Sequence, residues 1–268
     1  MNPLVVGNWK MNLDLTEAYV LSGRIVTGLG SIGGVDVVLC PPSAFLFSMD
    51  EYLKAKPTNL FFGCQNTMFE DEGAYTGETS LKMLKPVVKF AIIGHSERRR
   101  IFGENNQLVN KKIKYVLDNS LAPILCVGEE DRYQLEEYYE HEVKKMSEEG
   151  GILFQIQAAI KGIDKQKLKK LVIAYEPVWA IGTGNAATGA YAAAICYIIR
   201  NFLIAKLGDE IASEIRILYG GSVGGDDTRE FMMQPSIDGL LVGGASLKAR
   251  DFLKIVKISA EVKSGRKL

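Results

Sequence analysis

Eight short apolar segments, rich in β-branched residues and separated by stretches of helical character, constrain the fold of this chain more than any other feature. Each has the length and composition of a buried β-strand. Near-continuous apolar strands with helices between them are typical of a parallel sheet covered on both faces. The predicted strands span residues 4–8, 35–40, 59–65, 89–94, 121–127, 171–176, 215–219 and 239–242.

Right-handed crossovers can close eight such strand–helix units into a barrel. The competing arrangement is an open, doubly wound sheet, but no G-x-G-x-x-G follows the first strand to support it. No linker or low-complexity segment marks a domain boundary. We therefore predict a single α/β domain over residues 1–268, a barrel of eight parallel strands with outer helices. A helix pair broken at Gly150-Gly151 is expected within residues 130–164, and a frayed basic tail at 257–268.

Unusual polar residues stand at the C-terminal ends of the predicted strands. Asn8 and Lys10 follow the first strand, and His95 follows the fourth. Glu129 follows the fifth strand, and Glu176 ends the sixth. In a barrel these strand ends meet on one rim, where the active sites of barrel enzymes lie. The polar residues therefore favour a barrel independently of the apolar pattern.

The segment at residues 170–184 combines a strand, a carboxylate and a predicted lid. Glu176 ends the apolar strand, and Pro177 prevents further ladder pairing because it has no N–H. The short apolar sequence V-W-A-I then leads to Gly182-Thr183-Gly184, which is typical of a lid between a stiff and a flexible hinge. A carboxylate beneath a lid that excludes water suits a general base. For an isolated glutamate, an ordinary loop contact is the commoner role.

Two further side chains can support such a base. Lys10, on a loop after a buried strand, can hold an anionic substrate and stabilise an oxyanion, although a solvated lysine is the alternative. Neutral His95 can donate an N–H to a carbonyl oxygen, and a helix beginning at Ser96 would favour the neutral ring. A lone histidine after a strand is more often structural. Glu97 is placed to pair with Lys10 across the pocket.

The glycine pairs at residues 220–221 and 243–244 leave backbone N–H groups without side-chain cover. The loops after strands seven and eight of a barrel commonly bind phosphate, and Gly182 would add a third N–H. The alternative is that these glycines only make tight turns.

One carboxylate, one neutral electrophile, one cation and a phosphate cradle suit proton abstraction next to a carbonyl in a small sugar phosphate, through an enediolate. No metal or cofactor motif accompanies them. A phosphate-binding lyase or epimerase would need a Schiff-base lysine at a strand end or a metal cluster. A catalytically inactive barrel that acts only as a binding or scaffold protein would lack one of Lys10, His95 or Glu176, and all three are present.

Composition excludes several classes of partner. Lys plus Arg is 32 and Asp plus Glu is 32, so no excess positive charge exists for nucleic acid or an anionic membrane. The four cysteines are widely spaced, which predicts buried reduced thiols rather than disulfides. The N-terminus lacks the pattern of a signal peptide. We expect a reduced, cytoplasmic protein without a metal site.

Residues 177–199 carry no charge and are long enough to span a membrane, but glycines interrupt the first half, which argues against a span. The helix at residues 190–205 has few charges. We expect an alanine-rich outer helix with a broad core-facing stripe. A second contact surface for a partner or a higher oligomer is the alternative.

Seven motifs follow one another along the chain: G-N-W-K-M-N (7–12), G-A-Y-T-G-E (73–78), G-H-S-E-R-R (94–99), C-V-G-E (126–129), A-Y-E-P-V-W-A-I-G-T-G (174–184), Y-G-G-S-V (219–223) and D-G-L-L-V-G-G-A-S-L (238–247). In this order they resemble the triosephosphate isomerase family over residues 4–255.

The resemblance implies a TIM barrel and cofactor-free interconversion of dihydroxyacetone phosphate and glyceraldehyde 3-phosphate, a step of glycolysis, gluconeogenesis and the pentose phosphate shunt. It implies Glu176 as base and His95 as electrophile, with Lys10 and Asn8 positioning substrate. The residues that it implies for phosphate binding are Gly182, Ser222, Gly243 and Gly244. Those that it implies as supports are Ser96, Glu97, Glu129, Tyr175, Trp179 and Tyr219.

The resemblance also implies that Trp179 bonds to Tyr175 when the lid is open and to Glu129 when it is closed. It implies that Tyr219 and Ser222 hold the closed lid. The family is dimeric, which places Thr76 of the 73–78 loop near the neighbouring subunit's active site.

The chain departs from the family pattern at several places. Asn185 stands where lysine is usual at the lid's C-terminal hinge, and Gly189 stands where proline usually opens the next helix. Both changes could alter lid dynamics without touching the chemistry. Residues 130–164 form a longer region than usual, of unknown purpose.

Overall fold

The computed structural model describes residues 1–180 and 187–265, and eight strands and eleven α-helices lie within them. The strands are β1 (Leu4–Asn8), β2 (Asp36–Cys40), β3 (Leu60–Cys64), β4 (Phe90–Ile93), β5 (Ala122–Val127), β6 (Val172–Tyr175), β7 (Arg216–Tyr219) and β8 (Gly239–Val242). The helices are α1 (Leu15–Leu29), α2 (Leu46–Tyr52), α3 (Leu81–Leu84), α4 (Ser96–Phe102), α5 (Asn106–Asp118), α6 (Leu135–Ser147), α7 (Ile152–Ile160), α8 (Gly189–Leu207), α9 (Asp209–Ala212), α10 (Thr228–Met232) and α11 (Ala249–Lys263).

The eight strands form one closed parallel barrel in chain order. β1 pairs with β2 on one side and with β8 on the other, and Leu4 is the register partner of both Asp36 and Gly239. The predicted barrel is therefore confirmed, and the open doubly wound sheet is excluded. The chain order also brings the carboxyl ends of all eight strands to one rim.

Alternate residues along the strands belong to two different cores, which explains why the strands are apolar except at ends such as Asn8, Asp36 and Arg216. Val6, Val38 and Ile124 contribute to a small cluster that fills the barrel interior. Val5 and Val37 contribute to the larger cluster between the barrel and its helices. With both faces buried, the middle of a strand has no position at which a polar side chain would reach water.

Local capping sets the ends of several helices. Asp14 and Glu17 form a reciprocal capping box at the start of α1. Asn105 caps α5, and Thr188 caps α8. These caps place the helix starts directly after the loops that follow the strands.

The region at residues 130–164 contains α6 and α7, separated at the predicted Gly150-Gly151 break. Gly150 has a φ of +88°, which favours glycine. A Cβ on Gly151 would lie 2.3 Å from the carbonyl oxygen of Met146, so the chain can turn this closely only without a side chain. Ile152 and Ile156 then bury α7 against the larger core.

Helix α8 is long and apolar enough to cross a membrane by length and composition alone, the only such helix in the described parts of the chain. It is an outer helix of the barrel, and its residues Tyr191, Ile195 and Ile198 are buried in the larger core. Ala194 is half-buried and Tyr197 is exposed. Tyr191 and Ile198 therefore pack within the subunit, whereas Ala194 and Tyr197 keep exposed surface, and a second contact surface on this helix stays the alternative prediction.

Candidate active site

The rim formed by the carboxyl ends of the strands holds a cavity of about 430 Å³. The side chains that line it come from the ends of β1, β4 and β6, and its backbone lining comes from the loops after β7 and β8. The sequence-predicted residues in this lining are Asn8, Lys10, His95, Glu97, Glu176, Ser222, Gly243 and Gly244. The barrel thus brings together residues that are up to 236 positions apart in the sequence, from Asn8 to Gly244.

Glu176 follows the last residue of β6 and is only 2% exposed. Its Oε1 lies 3.0 Å from Nε2 of His95, and its Oε2 accepts a hydrogen bond of 2.9 Å from the backbone N–H of Ser96. Its own N–H donates to the carbonyl of Val127, which fixes the strand end. The carboxylate is therefore held in a dry site beside a histidine.

A close backbone approach makes room for this carboxylate. The neighbouring strand β5 continues into Gly128, where a Cβ would lie 1.7 Å from the carbonyl oxygen of Glu176. No side chain fits at that distance. The glycine of the C-V-G-E motif therefore allows the ends of β5 and β6 to meet.

His95 is buried and its hydrogen bonds define its tautomer. The backbone N–H of Glu97 donates to Nδ1 of His95 at 3.2 Å, as the first turn of α4 begins at Ser96. Because Nδ1 accepts a hydrogen bond, a neutral ring carries its proton on Nε2. That N–H faces the cavity and Glu176, where a substrate carbonyl would need a donor.

Lys10 reaches the cavity from a backbone conformation with a φ of +52°, which is uncommon for a residue with a side chain. Its Nζ donates to Oε1 of Glu97 at 2.6 Å, so the expected pair is present. Burial opposes ionisation of Glu97, but the hydrogen bond and charge of Lys10 outweigh it and hold the pKa of Glu97 below its usual value. The side-chain oxygen of Asn8 accepts a hydrogen bond from the backbone N–H of Lys10. The side-chain amide of Gln65 donates to the backbone carbonyl of Lys10.

The two glycine-rich loops stand beside each other at the same cavity. Ser222 and Gly244 are exposed, and in the described residues their N–H groups make no backbone hydrogen bond. A one-turn helix (Gly244–Leu247) begins at the second loop. Unpaired N–H groups beside a helix start are what the predicted phosphate site requires, and phosphate binding there stays a prediction. Gly182, Gly184 and Asn185 lie outside the described residues.

Glu129 accepts three hydrogen bonds on one carboxylate oxygen. Tyr175 Oη, Trp179 Nε1 and Tyr191 Oη lie 2.7, 2.8 and 3.1 Å from its Oε1. Burial raises the pKa of Glu129 to about 7, although all three donors favour the charged form. Its Oε2 is buried, and no described residue lies within hydrogen-bond distance of it. Trp179 is thus bound to the residue that the family resemblance assigns to the closed lid.

Tyr219 ends β7, and its ring stacks on Phe231 with centroids 4.1 Å apart. Its hydroxyl is buried, and no partner lies within hydrogen-bond distance among the described residues. Burial raises the pKa of Tyr219. Its predicted contact with a closed lid stays a prediction.

Charged residues just outside the cavity form a buried network. Oε1 of Glu104 accepts from Arg98 Nε at 2.6 Å and from Lys112 Nζ at 2.5 Å. Burial opposes ionisation of Glu104, but the two cations outweigh it and hold its pKa below the usual value. The two cations thus compensate for the cost of burying the charge of Glu104.

Several residues that shape the site did not stand out in the sequence. Arg99 donates to the carbonyl of Gly94 and so holds the turn before His95. Gln155 exchanges hydrogen bonds with the backbone of Gly128. Arg99 could have been found, because it ends the G-H-S-E-R-R motif that contains His95. Gln155 could not, because it lies in the region at residues 130–164, where no motif or spacing pointed to the site.

The 73–78 loop is exposed along its whole length, including Thr76. A second cavity of about 310 Å³ lies beside the active site and is shared by Lys10, His95 and Glu97. Met11 and Phe102 also line it, and they are 94% and 66% exposed. Two large apolar side chains that are exposed to solvent beside the candidate active site are typical of a contact surface.

Comparison with known proteins agrees with this geometry. The family model described as triosephosphate isomerase matches residues 3–259. A triosephosphate isomerase of Carboxydothermus hydrogenoformans is 44% identical over 256 residues, which cover 95% of this chain and 98% of the relative. A triosephosphate isomerase of Roseiflexus castenholzii is 44% identical over 255 residues, covering 95% and 96%. One of Thermoanaerobacter pseudethanolicus is 43% identical over 255 residues, covering 95% and 98%. This chain belongs to the triosephosphate isomerase family.

Proposed function

We propose that this protein interconverts dihydroxyacetone phosphate and glyceraldehyde 3-phosphate through an enediolate, without a cofactor. The observation that carries the proposal is the contact of a buried carboxylate, Glu176, with Nε2 of His95 at 3.0 Å, on the wall of a cavity that also holds Lys10. Family membership supplies the substrate class.

In the proposed reaction, Glu176 leaves its hydrogen bond with Ser96 and removes a proton from the carbon next to the substrate carbonyl. The C–H electron pair forms the carbon–carbon double bond of the enediolate, and the negative charge moves to the former carbonyl oxygen. His95 passes its Nε2–H proton to this oxygen and takes back the proton of the hydroxyl on the neighbouring carbon, so the negative charge moves to that second oxygen, and Lys10 stabilises the charge. Glu176 then returns its proton to the former carbonyl carbon while the second oxygen forms the new carbonyl, so both residues end unchanged.

The glycine loops would bind the phosphate group. Ser222, Gly243 and Gly244 offer N–H groups, and Gly182 would add another. Asn8 would orient substrate through Lys10, whose N–H it accepts. Fixing the phosphate away from the reacting carbons supplies binding energy for orientation.

We also propose the supporting roles implied by the family. Glu97 orients Lys10, and Ser96 holds Glu176 between turnovers. Tyr175, Glu129, Trp179 and Tyr219 form the docking surface for the lid. The whole chain is proposed to act as one domain in the cytoplasm, in glycolysis, gluconeogenesis and the pentose phosphate shunt.

The function is tested by adding glyceraldehyde 3-phosphate to the purified protein in the presence of a chelator and measuring dihydroxyacetone phosphate with a coupled assay. We expect rapid turnover. Absence of turnover by correctly folded protein would refute the proposed reaction.

We further propose a homodimer in which the 73–78 loop, with Thr76, enters the partner's second cavity beside Lys10 and His95. The exposure of Met11 and Phe102 at this cavity supports it.

The dimer is tested with Thr76→Arg, because a long cation at the tip would not fit into the partner's cavity. We expect the wild type to have twice the mass of one chain by light scattering, and the variant to be monomeric at low micromolar concentration with reduced kcat. Thr58→Arg is the matched control, since Thr58 is also exposed but lies before β3, at the opposite end of the barrel. A monomeric wild type would contradict the proposal.

A further inference from the structure

Tyr191 connects helix α8 with the loop after β5 and with the turn that carries Trp179, and it lies outside the family motifs. It lies in the first turn of α8 and is 6% exposed. Its hydroxyl donates to Oε1 of Glu129 at 3.1 Å and accepts the backbone N–H of Tyr133 at 3.0 Å. One hydroxyl therefore joins α8 to the loop after β5.

The ring of Tyr191 also contacts the tryptophan that follows the base. The rings of Tyr191 and Trp179 meet edge to face, with centroids 5.7 Å apart and planes at 79°. The guanidinium of Arg132 covers both rings, 4.8 Å from the centroid of Tyr191 and 5.7 Å from that of Trp179. Trp179 is thus bounded by an aromatic ring, a cation and the carboxylate of Glu129.

The held tryptophan belongs to the turn that directly follows Glu176. Val178–Ala180 form a one-turn helix, and the N–H of Val178 donates to the backbone carbonyl of Glu129 at 3.0 Å. Glu129 therefore binds this turn through its backbone and, through Trp179, by its side chain. A shift of Glu129 would move the segment that carries the base.

We propose that Tyr191 is a positioning residue: its hydroxyl and ring hold Glu129 and Trp179 together and thereby fix the turn that follows Glu176. The inference rests on the proposed function for the role of Glu176. It assigns this role to a residue outside the motifs of the family resemblance, at the start of an outer helix.

The titratable and charged groups around Glu129 make the contact measurable. They are Tyr175 from β6, Tyr191 and Cys196 from α8, and Arg132 and Tyr133 from the loop after β5. The pKa of Glu129, raised by burial, is lowered by the hydrogen bond from Tyr191. Removing this donor destabilises the charged form, so the pKa rises further.

The test uses Tyr191→Phe, which removes the hydroxyl and keeps the ring, with Tyr197→Phe on the same helix as the control because Tyr197 is 57% exposed. Tyrosine-to-phenylalanine changes preserve size, so folding is compared by circular dichroism. We expect kcat to fall about fivefold in Tyr191→Phe, the loss of one hydrogen bond, with KM within about twofold. The control should match the wild type.

A fluorescence titration gives a readout that does not depend on turnover. The chain has two tryptophans, so the part of the emission change that disappears in Trp179→Phe reports on Trp179. We expect the wild-type transition near neutral pH to move up by about one pH unit in Tyr191→Phe and not in Tyr197→Phe.

A double-mutant cycle tests whether Tyr191 acts through Glu129. In a Glu129→Gln background, Tyr191→Phe should cause little further loss of kcat. Additive losses, or a Tyr191→Phe variant with wild-type kcat and an unshifted transition, would overturn the inference. A wild type without turnover would instead refute the proposed function, and the two failures are thus distinguishable.

Discussion

Shortening Glu176 to aspartate is expected to lower kcat about a hundredfold or more while KM changes only a few-fold. The substitution keeps the charge but withdraws the carboxylate from the substrate by one methylene. A misplacement of about 1 Å of a reacting group can cost about a hundredfold in rate. Glu176 is 2% exposed and held by Ser96 and Val127, so the backbone cannot easily follow the shorter side chain.

Steady-state kinetics in both directions measure this effect. Glu130→Asp is the matched control, because Glu130 is an exposed carboxylate on the same rim and should keep wild-type kcat. If Glu176→Asp lost affinity and kept its rate, the carboxylate would be a binding group, and another base would be needed.

Replacing Lys10 by alanine is expected to reduce kcat/KM by about a thousandfold, with both a higher KM and a lower kcat. Lys10 is a cation in the wall of the cavity that holds the predicted base and electrophile, and removing one group that stabilises a developing oxyanion costs about a hundredfold to a thousandfold. The loss of attraction for a phosphorylated substrate adds to this effect in KM.

The same variant leaves Glu97 without the cation that lowers its pKa. The pKa of Glu97 should therefore rise, so this carboxyl would protonate at a higher pH in Lys10→Ala than in the wild type. Lys54→Ala serves as the control, because Lys54 is exposed and lies between α2 and β3, at the end of the barrel opposite the active-site rim. Equal and mild effects of the substitutions at Lys10 and Glu176 would contradict the assigned roles.

The eight strands were predictable because the middle of a strand buried on both faces must be apolar, and this makes a continuous signal. The structure shortens most predicted strands by one residue at one or both ends, as at residues 59–65 against Leu60–Cys64. The side chain of Asn59 donates to the loop carbonyls of Ile32 and Val35, while its backbone carbonyl still accepts the N–H of Val37. The pattern of apolar residues does not reveal at which residue the hydrogen bonding between neighbouring strands stops.

The candidate site was predictable where chemistry sits at strand ends. Lys10, His95 and Glu176 follow strands directly, so the barrel fixes their common rim. Tyr191 was not predictable as a partner of Glu129, because it lies 62 positions away on a helix whose composition indicated only core packing. Contacts between side chains of different elements depend on rotamers and loop paths that no periodicity encodes.

The pairing of β1 with β8 has a consequence for how the chain is made. Synthesis from the N-terminus releases Leu4–Asn8 before the other seven strands and Gly239–Val242 after them. Until β8 appears, one edge of β1 has no neighbour, and the small cluster inside the barrel lacks Leu241 on its wall. An unpaired apolar edge invites pairing with other chains. All eight strands must therefore emerge from the ribosome before β1 is protected, and the active-site rim is complete only at that moment.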